Sequence, residues 1–179
     1  MSFANNQVFG DDITTTYGSA VYPLGTERLV LGSQTGVGDQ VYVFVFNNTA
    51  ADYAIGQVIG AKAATTSLGT TVLAPTSSPA IRVIGVAQSV LPFATTTSTT
   101  GVVLSGPYGW VLKRGIGSVL TGTGAITADN AIVVDSTDAG TAMNASALGA
   151  ATKFDVVIGY AHTTAAATAL STAYLSCRA

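Results

Sequence analysis

Gln40-Val41-Tyr42-Val43-Phe44-Val45-Phe46 is a run of β-branched and aromatic residues behind a single glutamine. Gly38-Asp39 precedes it and Asn47-Asn48 follows it. An apolar run of this length, closed at both ends by turn residues, reads as a strand. Arg28-Leu29-Val30-Leu31 stops at Gly32-Ser33 and reads the same way. Together they predict a hairpin whose loop spans residues 32–39.

Outward from that hairpin the pattern recurs. Further strands are expected at 55–61, 81–88, 100–105, 109–113, 132–135, 155–162 and 172–176. Short strands spaced by roughly 8–12 residues and separated by turn signals suggest a barrel or a sandwich. Composition agrees. Thr and Val suit a half-buried pleated surface, whereas surface helices draw on Glu, Lys, Gln and Arg, and Glu27 is the only glutamate. The expected fold is all-β: a compact β-barrel or sandwich of short antiparallel strands, with at most short helices. The Ala-rich stretch 142–152 is the main helix candidate, with 165–170 a weaker one. The Thr/Ser-rich stretches 65–79 and 93–100 read as loops. Val58-Ile59-Gly60, Val83-Ile84-Gly85 and Val157-Ile158-Gly159 echo one another. A glycine inside a strand marks a bulge, a bend or a close backbone approach, so the three could line up at bends of one small barrel.

Residues 1–22 are polar, spotted with aromatics and without alternation. They read as an extended N-terminal arm, ordered against a neighbour, on a single domain at 23–179. The first residues lack a charged n-region and an apolar h-region, so synthesis in a cytoplasm without secretion is expected.

Charged residues make up only 9% of the 179, against roughly 25% in an average soluble domain. A surface so poor in charge is weakly protected against association, which favours a subunit whose surface is covered by copies of itself or by a larger assembly. Lys and Arg total 7, Asp and Glu 9, and the longest basic run is Lys113-Arg114. Phosphate binding needs several aligned cations, so nucleic acid is not expected as a partner. A membrane partner is not expected either: no apolar run approaches ~20 residues, and no basic amphipathic helix is present.

Catalytic and metal-binding patterns are missing. His162 is the only histidine and Cys177 the only cysteine. Zinc needs several such ligands, and no Gly-x-Ser-x-Gly elbow supports a triad. His162 should sit at a strand end, in a structural or solvent-facing role. Cys177 reads as an inert, half-buried thiol. Asp135-Ser136-Thr137-Asp138 lacks the glutamate of an EF-hand and reads as an Asp-capped turn. Gly115-Ile116-Gly117 and Gly122-Thr123-Gly124 do not extend to a phosphate-binding fingerprint. No enzyme activity, cofactor or metal is expected.

Several stretches, taken in order, resemble a family. They are Leu24-Gly25-Thr26, the hairpin 28–46, Ile55-Gly56, Ile84-Gly85-Val86-Ala87, Gly106-Pro107-Tyr108-Gly109-Trp110-Val111 and Ile158-Gly159-Tyr160-Ala161. The series, over residues 20–176, resembles the small β-barrel proteins that decorate or cement the capsids of tailed phages. The resemblance implies a structural virion protein on the capsid exterior, with the major capsid protein and further copies of itself, often as a trimer, for partners. A tail- or fibre-associated β-domain and a carbohydrate-binding or adhesive β-domain are the alternatives. Candidate interface residues are Phe3, Phe9 and Tyr17 in the arm, which has no core of its own in which to bury rings. Tyr108 and Trp110 join them, with a place in the core as the competing reading.

Overall fold

The computed structural model describes residues 12–32, 36–61, 70–73, 82–93, 106–147 and 157–177. The described residues form ten strands: β1 (Glu27–Val30), β2 (Gln40–Asn47), β3 (Val58–Ala61), β4 (Thr70–Leu73), β5 (Val83–Val86), β6 (Tyr108–Leu120), β7 (Ala131–Val134), β8 (Ala142–Asn144), β9 (Val157–Ala161) and β10 (Leu170–Ser176). All belong to one sheet in the order β1-β2-β4-β3-β5-β6-β10-β9-β7-β8. The chain is therefore all-β, and every pairing but the parallel one between β2 and β4 is antiparallel.

The ten strands do not close into one barrel, since β1 and β8 remain its ends. Within the sheet β6 also pairs with β2, so β2, β4, β3, β5 and β6 form a cycle of neighbours. The remaining strands extend from β6 through β10.

The deciding run, now β2, is apolar at nearly every position because both its faces are covered. Tyr42 and Phe44 point into one core, with Trp110, Leu112, Ile132, Ile158 and Leu175. Val43 and Val45 point into the other, with Tyr53, Ile59, Ile84, Leu91 and Val111. β6 is shared in the same way: Trp110 and Leu112 face the first core and Val111 the second.

At 13 residues β6 is the longest strand and the hub of the fold. Its first half pairs with β2 up to Arg114, and its second half pairs with β10 from Arg114 to Leu120. Two buried or half-buried amides hold the changeover. Gln40 Nε2 donates to the Ile116 carbonyl. Gln88 accepts the Ser118 N–H at 2.8 Å and donates to the Ser118 carbonyl at 2.9 Å, as a neighbouring strand would. The buried Asn47 is equally tied. Its Nδ2 donates to the carbonyls of Ala51, Leu91 and Pro92, and its Oδ1 accepts from Thr49.

Several expectations change. The stretch 65–79, read as a loop, contains β4, which β2 and β3 recruit from both sides. The helix expected at 142–152 is replaced by β8 and a 3₁₀ turn at Ala145–Ala147; Ala142 is fully buried against Val134, and pairing overrides alanine's helix propensity. Of the Val-Ile-Gly copies, the two in β3 and β5 pair with each other across a bulge at Ile59/Gly60, whereas the third, in β9, lies outside the cycle. The expected strand at 100–105 lies outside the described residues.

The arm also needs revision. Tyr17 bridges to Tyr108 through paired backbone hydrogen bonds of 2.8 and 3.2 Å. Ile13, Tyr17 and Tyr22 pack against the first core. Residues 12–22 therefore lie on the body, because Phe44 and its neighbours offer their rings a local sink.

Candidate interface

Phe3 and Phe9 lie outside the described residues. The other three expected interface residues are brought together, but inward. Trp110 is 4% exposed; its ring centroid lies 5.1 Å from Phe44 and 5.3 Å from Tyr22. Tyr17 meets Phe44 edge-on at 5.9 Å, and Tyr108 stacks over it at 6.3 Å. Such tilted and edge-on geometries suit the aromatic quadrupole. Trp110 is a core residue, and Tyr17 and Tyr108 are half-buried flanks of the same cluster. The Trp110 Nε1–H is buried without a hydrogen-bond partner, an uncommon cost in a core.

Large exposed apolar side chains lie elsewhere, four of them on strands of the sheet, at Leu29, Tyr160, Leu170 and Tyr174. On β10 Ser171, Ala173 and Leu175 point into the core, while Leu170, Tyr174 and Ser176 point out. The register aligns Ile116, Tyr174, Tyr160 and Ala131 in one row across β6, β10, β9 and β7. A parallel row runs Leu29, Val41, Arg114, Ser176 across β1, β2, β6 and β10. Tyr160 is 58% exposed, Leu29 55%, Leu170 51% and Tyr174 49%. On the β1–β2 side Lys113 Nζ meets Glu27 Oε1 at 2.6 Å.

The residues weighed for chemistry are occupied structurally. His162 follows β9, exposed, and its backbone N–H donates to the Thr172 carbonyl. Asp135 is 2% exposed, and its Oδ1 accepts from the Thr137 N–H, the Thr137 hydroxyl and the Asp138 N–H, the expected capped turn. Beside it lies an open pocket of about 270 Å³ lined by Thr123, Thr137, Met143 and Asn144 among others. Much of its polar lining is already bonded within the chain: Asn144 to Ala125 and Thr127, Thr123 to Thr137. Among the described residues no three His, Cys, Asp or Glu side chains gather as a metal site would require, and no helix is long and apolar enough to cross a membrane.

Burial pushes the Cys177 thiol up from 9.0 to about 12, with nearby Lys113 opposing. Burial also raises Tyr42 from 10.0 to about 12, reinforced by the charge of Asp12, and raises Tyr53 to about 12 against the hydrogen bond with Thr71. In the unfolded chain these groups lose their protons nearer 9–10. Above that range the unfolded state binds fewer protons than the folded one, so stability falls as pH rises toward 12 and is intact below about 9. The urea midpoint should be lower at pH 10.5 than at pH 8. Cys177 should resist a thiol reagent at pH 8 until denaturant is added; rapid labelling of the folded protein would contradict the assigned burial.

These features define a class: an all-β protein with large apolar side chains exposed on the outer face of its sheet. No protein-family model matches the chain, and no curated protein matches it. Solved structures similar to it include two from phages. One is from the capsid of Myoviridae phage XM1, at TM-score 0.47 and 15% identity, over 97% of this chain and 98% of that one. The other is the head fiber gp8.5 N base of bacteriophage phi29, at TM-score 0.41 and 15% identity, over 77% of this chain and 98% of that one.

Proposed function

We propose that this chain is a structural, non-catalytic virion protein that binds the outer surface of a phage capsid and stabilises it. Its partners are the major capsid protein and further copies of itself, as a trimer. The observation that carries the reading is the outer face. Tyr160, Tyr174, Leu170 and Leu29 stand in water where an isolated protein would place charged groups. A clustered apolar surface of this kind marks an interaction site. Low charge over the whole chain supports the same reading, as does the order of motifs that resembles decoration proteins.

Two measurements test it. In purified particles the protein should approach the copy number of the major shell protein; a copy number many-fold lower would favour a tail- or fibre-associated domain instead. Deleting residues 1–11, and not 1–22, should abolish particle binding while the body still folds, because Tyr17 and Tyr22 belong to the core cluster. Unchanged binding would remove the arm from the account.

A further inference from the structure

We infer that the pocket beside Asp135 takes a lysine side chain of the shell protein on which this chain sits. The inference rests on the reading of the chain as a capsid-binding subunit and names one chemical contact within that binding.

The pocket, of about 270 Å³, opens between the loop after β6, the turn after β7 and the end of β8. The Asp135 carboxylate forms part of its wall, on a residue only 2% exposed. Its two oxygens differ. Oδ1 accepts three bonds from its own turn: the Thr137 N–H and hydroxyl, each at 2.7 Å, and the Asp138 N–H at 3.3 Å. Oδ2 accepts none among the described residues. It lies so close over Gly122 that a Cβ there would collide with it, and Gly122 leads into Thr123 and Gly124 of the pocket lining.

A buried carboxylate is costly unless donors or a cation satisfy it. This chain brings no cation to the pocket. The lining includes no Lys, Arg or His, and the ion pair among the described residues, Lys113–Glu27, lies on other strands. Asp138, on the same turn as Asp135, adds a second negative charge. The charge missing from the pocket is positive, and it has to come from outside the described residues.

The single open oxygen selects the kind of cation. An arginine guanidinium donates in a planar fork that two carboxylate oxygens accept, and here Oδ1 is already taken. Calcium takes about six to eight oxygens, yet no three Asp, Glu, His or Cys side chains gather among the described residues. A lysine ammonium is a compact point charge with three donors. Oδ2 accepts one of them, and the hydroxyls of Thr123 and Ser146 keep lone pairs for the others. Ala125, Met143 and Ala147 make up apolar wall, which suits the methylene stem behind the charged head.

The test titrates the isotope-labelled full chain with n-butylammonium chloride, which has the stem and head of a lysine. NMR follows the Thr137 and Asp138 amides, which bond to Asp135. Both should shift and saturate with a dissociation constant of roughly 1–10 mM, as suits so small a ligand. n-Butanol, equally long but neutral, should bind at least about tenfold more weakly. Asp135→Asn keeps an oxygen for the turn, replaces Oδ2 by an amide donor and should abolish the response. Ala125→Leu narrows the pocket without touching the carboxylate and should do the same; retained amide dispersion checks the fold of both. A wild type that shows no saturation by about 50 mM overturns the inference. So does an equal response to butanol, or a response to calcium chloride where butylammonium gives none. In pelleting with particles stripped of the protein, each variant should bind at least about tenfold more weakly than the wild type. Variants that pellet like the wild type overturn the shell lysine and leave the decoration reading standing. A wild type that fails to pellet sinks both that reading and the shell as the source, and the titration alone then judges the ammonium site.

Discussion

Gly115→Val is expected to destabilise the protein by about 3 kcal/mol or more, enough to leave much of it unfolded at moderate urea. Gly115 has φ +118°, a conformation L-residues rarely adopt, and forcing a β-branched residue there costs roughly 1–3 kcal/mol in strain alone. A Cβ would also stand 2.8 Å from the Asp39 carbonyl oxygen and 3.0 Å from the Gln40 Cα, backbone atoms where β2 begins. Relief would require β2 and β6 to separate at the point where β6 passes from β2 to β10. Both cores share β6, so the loss should spread beyond one hairpin. The control is Gly124→Ala, where a new Cβ meets nothing within 4 Å and the change should stay within about 0.5 kcal/mol. Equal urea midpoints for the two variants would refute the role given to the β6 changeover.

That same residue shows where the sequence is legible and where it is not. β2 could be read directly, because a strand covered on both faces is apolar throughout and bounded by turns. β6 could be read only as far as Lys113. Gly115 and Gly117 look like strand breakers, and nothing local reveals that a positive-φ glycine lets the ladder change partners and continue to Leu120. β4 was hidden among Thr and Ser, since its pairing comes from strands far away in sequence. Side-chain direction was the harder problem for the interface. Tyr174 and Leu175 are adjacent and both apolar, so alternation alone does not say which faces water. The register with Tyr160 and Ile116 decides it. Trp110 was ambiguous for a related reason: a large aromatic fits an anchor or a core, and only the rings around Phe44 settle which.

Those rings carry the second large effect. Phe44→Ala should cost about 3–5 kcal/mol, the range for truncating a fully buried phenylalanine. Phe44 is 0% exposed and touches Tyr17, Tyr22, Tyr108 and Trp110 at centroid distances of 5.1–6.3 Å. Its removal forfeits buried area and edge-on ring contacts together. It also loosens residues 12–22, whose packing depends on the same ring. Collapse of the cavity is opposed by two backbone bonds to the segment before β1: the Phe44 N–H donates to the Thr26 carbonyl and the Phe44 carbonyl accepts from the Gly25 N–H. Against a typical total of 5–15 kcal/mol, such a loss is a large fraction. Trp110 is the only tryptophan, so its emission reports on the site directly. The variant should show a red-shifted spectrum and easier quenching as water reaches the indole, along with a lower urea midpoint. A native-like spectrum with a loss under about 1 kcal/mol would mean that the ring cluster is not the keystone of the first core. The anchoring of residues 12–22 would then have to be sought in the Tyr17–Tyr108 backbone bridge alone.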